Sequence, residues 1–174
     1  MATKPEVLLT TRRFCVVRHV EQNPDGTTHV KDTIEHPGAV TIIPLLDNGQ
    51  VCLIRNDRVA VGRTLVELPA GTLEPGEEPA VTASRELREE TGYRARILEK
   101  LIEFYMSPGI ISERMHLFVA RGLVAGDAAR EAGEKIENFV VSWPEAMQMV
   151  SDGTIQDAKT LVGLLYYDRV RTAD

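Results

Sequence analysis

The strongest local signal in this sequence is a short segment, Pro79–Thr91, that starts with proline and stops before glycine. Pro79 suits the first position of an α-helix, because the N–H that proline lacks would have no intrahelical partner there. Gly92 suits the position just after a helix, where a left-handed backbone is common. The sequence therefore predicts an α-helix over Pro79–Thr91.

Three glutamates, Glu86, Glu89 and Glu90, are expected on one arc of that helix about 100° wide, since an α-helix has 3.6 residues per turn. Glu86 and Glu90 are four residues apart, and like charges at this spacing repel each other. A hard cation such as Mg²⁺ converts this repulsion into coordination, because it prefers carboxylate oxygens. The alternative is a solvated acidic face whose charge is relieved by Arg85 and Arg88.

A loop rich in glycine and proline, residues 68–77, precedes the predicted helix. Gly71 and Gly76 allow the backbone to approach closely, so that a backbone carbonyl can join the carboxylates as a cation ligand. Arg85 is spaced to reach back to Glu77, and this charge-assisted pair would hold the loop against the helix. The loop and the helix together predict one metal site.

The remaining elements are predicted from apolar runs and turn residues. A turn at 23–26 joins the first two strands, and residues 47–49 predict a hairpin between the next two. Because strands and helices mix without strict alternation, we expect an α/β (α+β) fold with a mixed sheet flanked by helices, either a compact α+β domain or an α/β/α sandwich. The predicted elements are the strands Phe14–Val20, His29–Ile34, Ala39–Leu46, Val51–Asn56, Ile97–Phe104, Met115–Ala120 and Ile136–Ser142, and the helices Pro144–Val150 and Asp157–Val170.

A proline–glycine break at 36–38 is the best candidate boundary, and it separates a small N-terminal antiparallel β segment, residues 1–37, from a main domain, residues 38–174. The net charge of -6 argues against general nucleic-acid binding, which needs clustered Lys and Arg. No run is long enough to span a bilayer. Cys15 and Cys52 lack metal-ligand spacing, so we expect reduced thiols and a cytoplasmic protein.

The spacing of residues from Gly71 to Tyr93 resembles the signature box of the Nudix hydrolases. The positions of that box match except the last, where Tyr93 replaces the usual aliphatic residue. A match at so many spaced positions is far more specific than a lone glycine motif. The matching positions are Gly71, Glu77, Arg85, Glu86, Leu87, Glu89, Glu90 and Gly92.

Within that superfamily, the chain resembles the ADP-ribose pyrophosphatases over roughly residues 10 to 165. Pro108 follows Tyr93 at the position where these enzymes carry a proline associated with ADP-ribose preference. The resemblance implies Mg²⁺-dependent hydrolysis of the ADP-ribose diphosphate to AMP and ribose 5-phosphate, with Mn²⁺ as the alternative metal. The substrate-binding residues that it implies are Arg58, Glu67 and Pro108.

The resemblance also implies roles for the acidic residues. Diphosphate hydrolysis needs an activated water and cations that neutralise the developing charge. A carboxylate outside the helix should activate the water; Glu134 aligns best with the loop carboxylate of the family, and Glu113 is the second candidate. The metal ligands that the resemblance implies are Glu86 and Glu90, with Glu89 assisting and the carbonyl of Ala70 completing the site.

The strands between Phe14 and Ile34 carry a further implication, since in this family they form a small sheet exchanged between two subunits. A strand pair with little core of its own needs cover, so we expect a homodimer that acts on a small nucleoside-diphosphate substrate and on no nucleic acid or membrane. Two alternatives stay open. One is a Nudix hydrolase of another substrate, such as a nucleotide sugar or a dinucleoside polyphosphate. The other is a non-catalytic Nudix module that senses a nucleotide, although the three glutamates of the box are all present.

Overall fold

The computed structural model describes residues 4–129 and 135–171. Within these residues no helix is long and apolar enough to cross a membrane. The strands of the described chain are β1 (Glu6–Thr10), β2 (Cys15–Gln22), β3 (Thr28–Glu35), β4 (Ala39–Pro44), β5 (Gln50–Arg58), β6 (Arg63–Glu67), β7 (Ala70–Thr72), β8 (Arg94–Tyr105), β9 (Arg114–Val124) and β10 (Ile136–Ser142). The α-helices are α1 (Pro79–Glu86), α2 (Trp143–Ser151) and α3 (Ala158–Arg171).

The central sheet has four strands in the order β7-β4-β9-β8, and it is mixed because β4 runs parallel to β9 while the other pairs are antiparallel. Strand β4 is buried along its whole length, and its alternate residues contact opposite layers. Val40 and Ile42 pack against Ala83 and Leu87 of the helical segment 79–91, whereas Ile43 packs in the cluster that contains residues of α2 and α3. Helical layers therefore cover both faces, and the predicted α/β/α sandwich around a mixed sheet is confirmed.

The predicted hairpin between residues 39–46 and 51–56 is wrong in its pairing. Strand β5 lies in a second, antiparallel sheet of order β10-β5-β6, and a single bridge, Leu45 to Val51, joins it to the run that contains β4. The turn itself forms, with Gly49 N donating to the carbonyl of Leu46. Continuously apolar runs are typical of strands covered on both faces, but they carry no information about which strand lies alongside.

The helix predicted over Pro79–Thr91 changes type in its second half. The α-helix ends at Glu86, and Leu87–Thr91 form a π-helical turn that closes at Gly92, whose φ is +80°. A π-turn bonds to i+5 and so has more residues per turn than an α-helix. The predicted boundaries are therefore confirmed, while the 3.6-residue spacing holds only as far as Glu86, because Glu89 and Glu90 lie in the π-turn. Glu90 is only 4% exposed and reaches the sheet.

The three N-terminal strands form a sheet of their own, in the order β1-β2-β3. Strand β1 was not predicted, and all five of its residues are exposed. Where β3 ends, Ile34 N donates to the carbonyl of Ile110, and Ser112 N donates to the carbonyl of Ile34. The N-terminal sheet is thereby hydrogen-bonded to the connection between β8 and β9. Strands β6 and β7 were also not predicted, since each is short and lies close to the glycine- and proline-rich stretch.

Candidate active site

The helix carboxylates meet the central sheet at two consecutive residues of β7, Ala70 and Gly71. Glu90 Oε2 accepts a hydrogen bond of 2.9 Å from Ala70 N. The carboxylate of Glu86 lies directly against Gly71, where an added Cβ would stand 2.0 Å from Glu86 Cδ and Oε1. A side chain at position 71 would displace that carboxylate, so the close approach requires glycine. Two of the predicted metal ligands therefore reach adjacent backbone positions.

Arg85 orients the acidic side chains around it. Its Nε and Nη2 donate to the carboxylate of Glu77 at 3.1 and 3.0 Å, as expected from their spacing. Its Nη1 donates to Glu86 Oε1 at 2.6 Å and to Glu89 Oε2 at 3.2 Å. The hydrogen bonds from Arg85 are the main cause that lowers the pKa of Glu77 to about 2. The repulsion between the glutamates is thus offset by one guanidinium group.

The carboxylates suit a hard divalent cation, although they do not form a closed cage. Among the residues that the structure describes, no three His, Cys, Asp or Glu side chains converge as a preformed metal site. Mg²⁺ is usually bound through one or two carboxylates together with substrate phosphates and water, so a closed cage is not required. Glu86 against Gly71 and Glu90 at Ala70 supply oxygen ligands side by side.

A second charged group surrounds Glu67, whose side chain is fully buried. Arg58 donates from Nε and Nη2 to the two carboxylate oxygens of Glu67 at 2.7 and 2.6 Å. Lys159 Nζ donates to the same carboxylate at 2.5 Å and lies 2.9 Å from Asp157 Oδ2. The pairing with Glu67 raises the pKa of Arg58, and the charge of Glu90 adds to this shift. Arg58 is therefore within electrostatic reach of Glu90 on the helical segment 79–91.

Asp157, Lys159 and Thr160 were not predicted as site residues, because their segment was assigned only to a packing helix. Thr160 Oγ1 accepts a hydrogen bond of 2.8 Å from Leu68 N and donates to Asp157 Oδ2 at 2.6 Å. The start of α3 is thereby attached to the run that leads into Ala70. The available signal in the sequence was a charged and polar cluster directly before the apolar run 161–167.

Glu113 and Pro108 lie on the connection between β8 and β9, where Pro108 is exposed. Glu113 Oε1 is 3.9 Å from His36 Nδ1, and that nitrogen accepts a hydrogen bond from Gly38 N at 3.1 Å. An added Cβ at Gly38 would lie 3.2 Å from the carbonyl oxygen of Arg114 and 3.9 Å from Leu73 Cδ1. The start of β9 and the end of β7 therefore approach the same point.

Glu134, the first candidate for the general base, lies outside the described residues. The chain is described on both sides of it. On the N-terminal side, Ala129 N donates to the carbonyl of Glu89 at 3.1 Å, so this flank contacts the helical segment 79–91. On the C-terminal side, the carbonyl of Lys135 accepts from Asp57 N at 3.4 Å.

Comparison with known proteins identifies the family. The model of the NUDIX domain matches residues 35–162. The chain is 40% identical over 145 residues to the ADP-ribose pyrophosphatase of Bacillus subtilis, which covers 82% of this chain and 78% of that protein. It is 38% identical over 134 residues to the GDP-mannose pyrophosphatase of Cronobacter sakazakii, which covers 72% of this chain and 70% of that protein.

The fold also has a counterpart among solved structures. A crystal structure of an ADP compounds hydrolase superposes with a TM-score of 0.85 at 24% identity, covering 99% of this chain and 94% of that one. This likeness confirms the predicted fold class. The domain match and the two pyrophosphatase relatives confirm the resemblance carried by the residues from Gly71 to Tyr93 and the expected class of enzyme. The chain therefore belongs to the Nudix family.

Proposed function

We propose that this protein hydrolyses the diphosphate of ADP-ribose to AMP and ribose 5-phosphate. The observation that carries the proposal is that the carboxylates of Glu86 and Glu90 contact two adjacent residues of β7, Gly71 and Ala70. Arg58 lies close enough for its pKa to respond to the charge of Glu90. Carboxylates that hold a cation and an arginine that binds a phosphate are what diphosphate cleavage requires. The name of the Bacillus subtilis relative supports ADP-ribose as the substrate.

Glu86 and Glu90 would hold the divalent cation, with Glu89 and the carbonyl of Ala70 as further ligands. We propose Mg²⁺, with Mn²⁺ as the alternative, because the ligands are all oxygen atoms. When bound, the cation neutralises the negative charge that develops on the diphosphate. Arg85 keeps Glu86 and Glu89 oriented through its hydrogen bonds to both carboxylates.

Arg58 would bind the diphosphate through the guanidinium N–H groups that do not donate to Glu67. The two hydrogen bonds to Glu67 use two of the five N–H donors of the group, and the Arg58 side chain is 39% exposed. Glu67 is fully buried and forms salt bridges with Arg58 and Lys159, so we propose that it supports substrate binding through Arg58. Pro108, exposed at its turn, would contact the substrate on the other side.

The attacking water needs a carboxylate that accepts its proton, and we propose Glu134, with Glu113 as the second candidate. Glu134→Gln should lower kcat by about 10²–10⁴-fold, the usual scale of general base catalysis, with little change in metal affinity. Glu113→Gln is the matched control, since it removes the same charge at the other candidate position. Nearly normal turnover of Glu134→Gln together with a crippled Glu113→Gln would transfer the role to Glu113.

We also propose that residues 1–37 mediate a homodimer and that residues 38–174 form the catalytic domain. The N-terminal strands form their own sheet, and Val7, Leu9 and Val30 on it are 51–60% exposed. Large apolar side chains exposed on a small three-stranded sheet agree with cover by a partner. The two cysteines are free thiols, which agrees with a cytoplasmic enzyme. The net charge of -6 agrees with a small-molecule substrate and not with a nucleic acid.

The test is incubation of the purified protein with ADP-ribose and Mg²⁺, followed by chromatographic measurement of AMP and ribose 5-phosphate. Both products should form in equal amounts, stop with chelator and return when Mg²⁺ is added. The second candidate is a nucleotide sugar, which the GDP-mannose pyrophosphatase relative favours. Rapid cleavage of GDP-mannose with none of ADP-ribose would overturn the substrate assignment. Binding of nucleotides without any cleavage would instead indicate a sensing module.

A further inference from the structure

Lys159 is a buried charge in the first turn of α3, and its side chain is only 7% exposed. An ammonium group in such a place is strongly unfavourable unless opposite charges surround it. Its Nζ lies 2.5 Å from Glu67 Oε2 and 2.9 Å from Asp157 Oδ2, so both neighbours are carboxylates. The lysine thus joins α3 to the end of β6.

The charges in this group balance. Arg58 and Lys159 supply two positive charges, and Glu67 and Asp157 supply two negative charges. Without Lys159, the guanidinium of Arg58 would be the one cation left to neutralise both carboxylates of this group. The positive charge of Arg58 would then be offset by Glu67 and Asp157, and the group would present a net negative charge to the diphosphate.

We propose that Lys159 is a positioning residue for substrate binding: it neutralises Glu67 from inside the fold, so that Arg58 presents its positive charge to the diphosphate. The proposal rests on the proposed function, since it takes Arg58 as the arginine that binds the substrate. Lys159, which lies on α3 92 positions along the chain from Glu67, would thereby contribute to the affinity of the site for anions.

Asp157 offers a way to separate charge balance from packing. Its Oδ2 accepts from Thr160 N at 3.0 Å, which is the hydrogen bond of a helix N-cap. Asparagine caps helices as well as aspartate does, so Asp157→Asn removes a charge and keeps the cap. The double variant Asp157→Asn with Lys159→Met therefore restores neutrality without restoring the lysine.

The experiment compares wild type, Lys159→Met, the double variant and Lys100→Met. Lys100 is 44% exposed and paired with Glu103, so Lys100→Met removes the same formal charge from the surface. Affinity for ADP-ribose is measured by calorimetry in chelator, KM and kcat are measured with Mg²⁺, and thermal melting reports folding. Lys159→Met should weaken binding and raise KM by about tenfold or more, because loss of the lysine leaves one uncompensated negative charge near the bound anion. Its kcat should stay within about threefold, since the metal carboxylates are untouched.

The double variant should recover most of the lost affinity, and Lys100→Met should bind as wild type does. A folded Lys159→Met with unchanged affinity would overturn the proposal. So would a folded double variant that binds as weakly as Lys159→Met, because the lysine would then matter for packing alone. If Lys159→Met does not fold, near-normal affinity of the double variant supports the proposal and tenfold weaker binding overturns it.

Failure of the proposed function gives a different result. In that case wild type itself neither binds nor cleaves ADP-ribose but cleaves another diphosphate, such as GDP-mannose. The same four proteins are then compared on GDP-mannose, since the role of Lys159 concerns the diphosphate and not the attached sugar or base. A tenfold rise in KM for Lys159→Met that the double variant reverses supports the proposal there, and an unchanged KM overturns it.

Discussion

The glutamate-bearing region, residues 70–92, and the N-terminal sheet, residues 6–35, are attached to the rest of the fold by different interactions. In the first region, side-chain charges and close packing dominate: Arg85 bonds three glutamates, and Glu86 lies against Gly71. In the second, backbone hydrogen bonds from Ile34 to the connection before β9 make the junction, and large apolar side chains stay exposed.

This difference determines how each region should respond to mutation. A site built from individual side chains is sensitive to a single substitution, because one group, Arg85, orients several carboxylates. A sheet attached through its backbone tolerates most side-chain changes, yet its removal takes away a whole set of hydrogen bonds at once. Four experiments test this contrast, in order of expected effect.

Removal of residues 1–35 should abolish measurable activity although the box from Gly71 to Tyr93 is intact. The truncation deletes the partners of Ile110 and Ser112 and exposes apolar surface, so the connection that carries Pro108 loses its support. Activity is measured with ADP-ribose, and oligomeric state by size exclusion with light scattering. Ser112→Ala is the control: it removes the bond from His36 N to Ser112 Oγ and leaves the backbone pairing, so activity should stay near wild type. A monomeric, soluble and fully active truncated chain would show that the N-terminal sheet is dispensable.

Glu86→Gln and Glu90→Gln should each lower turnover by on the order of 10⁴-fold, since a cation supplies several kcal/mol of transition-state stabilisation. Glutamine keeps the size of the side chain and removes the charge that a hard cation needs. Mg²⁺ titration of activity and calorimetry of Mg²⁺ binding measure the effect, and added metal should restore part of it. Unchanged metal-dependent turnover in both variants would mean that the acidic face of this helix is only structural.

Gly71→Ala should lower turnover by about 10²-fold in a protein that still folds. The added Cβ would overlap the Glu86 carboxylate, and displacement of a site group by about 1 Å can cost this much. Circular dichroism and melting temperature check the fold, while kcat and Mg²⁺ affinity report the site. Wild-type kcat with wild-type metal affinity would show that Glu86 can leave Gly71 without consequence.

Glu77→Gln should have the smallest effect, about tenfold or less on turnover, because Glu77 acts on the metal carboxylates through Arg85. Folding lowers the pKa of Glu77 from 4.5 to about 2, so its contribution to stability is present above pH 4.5 and is lost as pH falls towards 2. The melting temperature of wild type should therefore fall towards that of Glu77→Gln between pH 4.5 and pH 2. A difference in melting temperature between wild type and Glu77→Gln that stays constant across that pH range would contradict the pairing with Arg85.

Much of the site could be predicted because its signals are local. Pro79 and Gly92 marked the helical segment through backbone chemistry, and the eight-residue spacing of Glu77 and Arg85 brought their charges together across one loop. The mixed α/β architecture followed from the order of apolar runs and turns. Each of these depends on residues that are near one another in the chain.

The family, the helix that carries the carboxylates and the class of fold therefore follow from the amino-acid sequence, since propensity, spacing and charge act over a few residues. The pairing of β4 with β9 and not with β5, and the change from α-helix to π-helix at Leu87, follow only from tertiary contacts. So does the contact of Lys159 with Glu67. Burial and strand partnership depend on what the rest of the chain places alongside, and no local pattern encodes a neighbour 92 residues away.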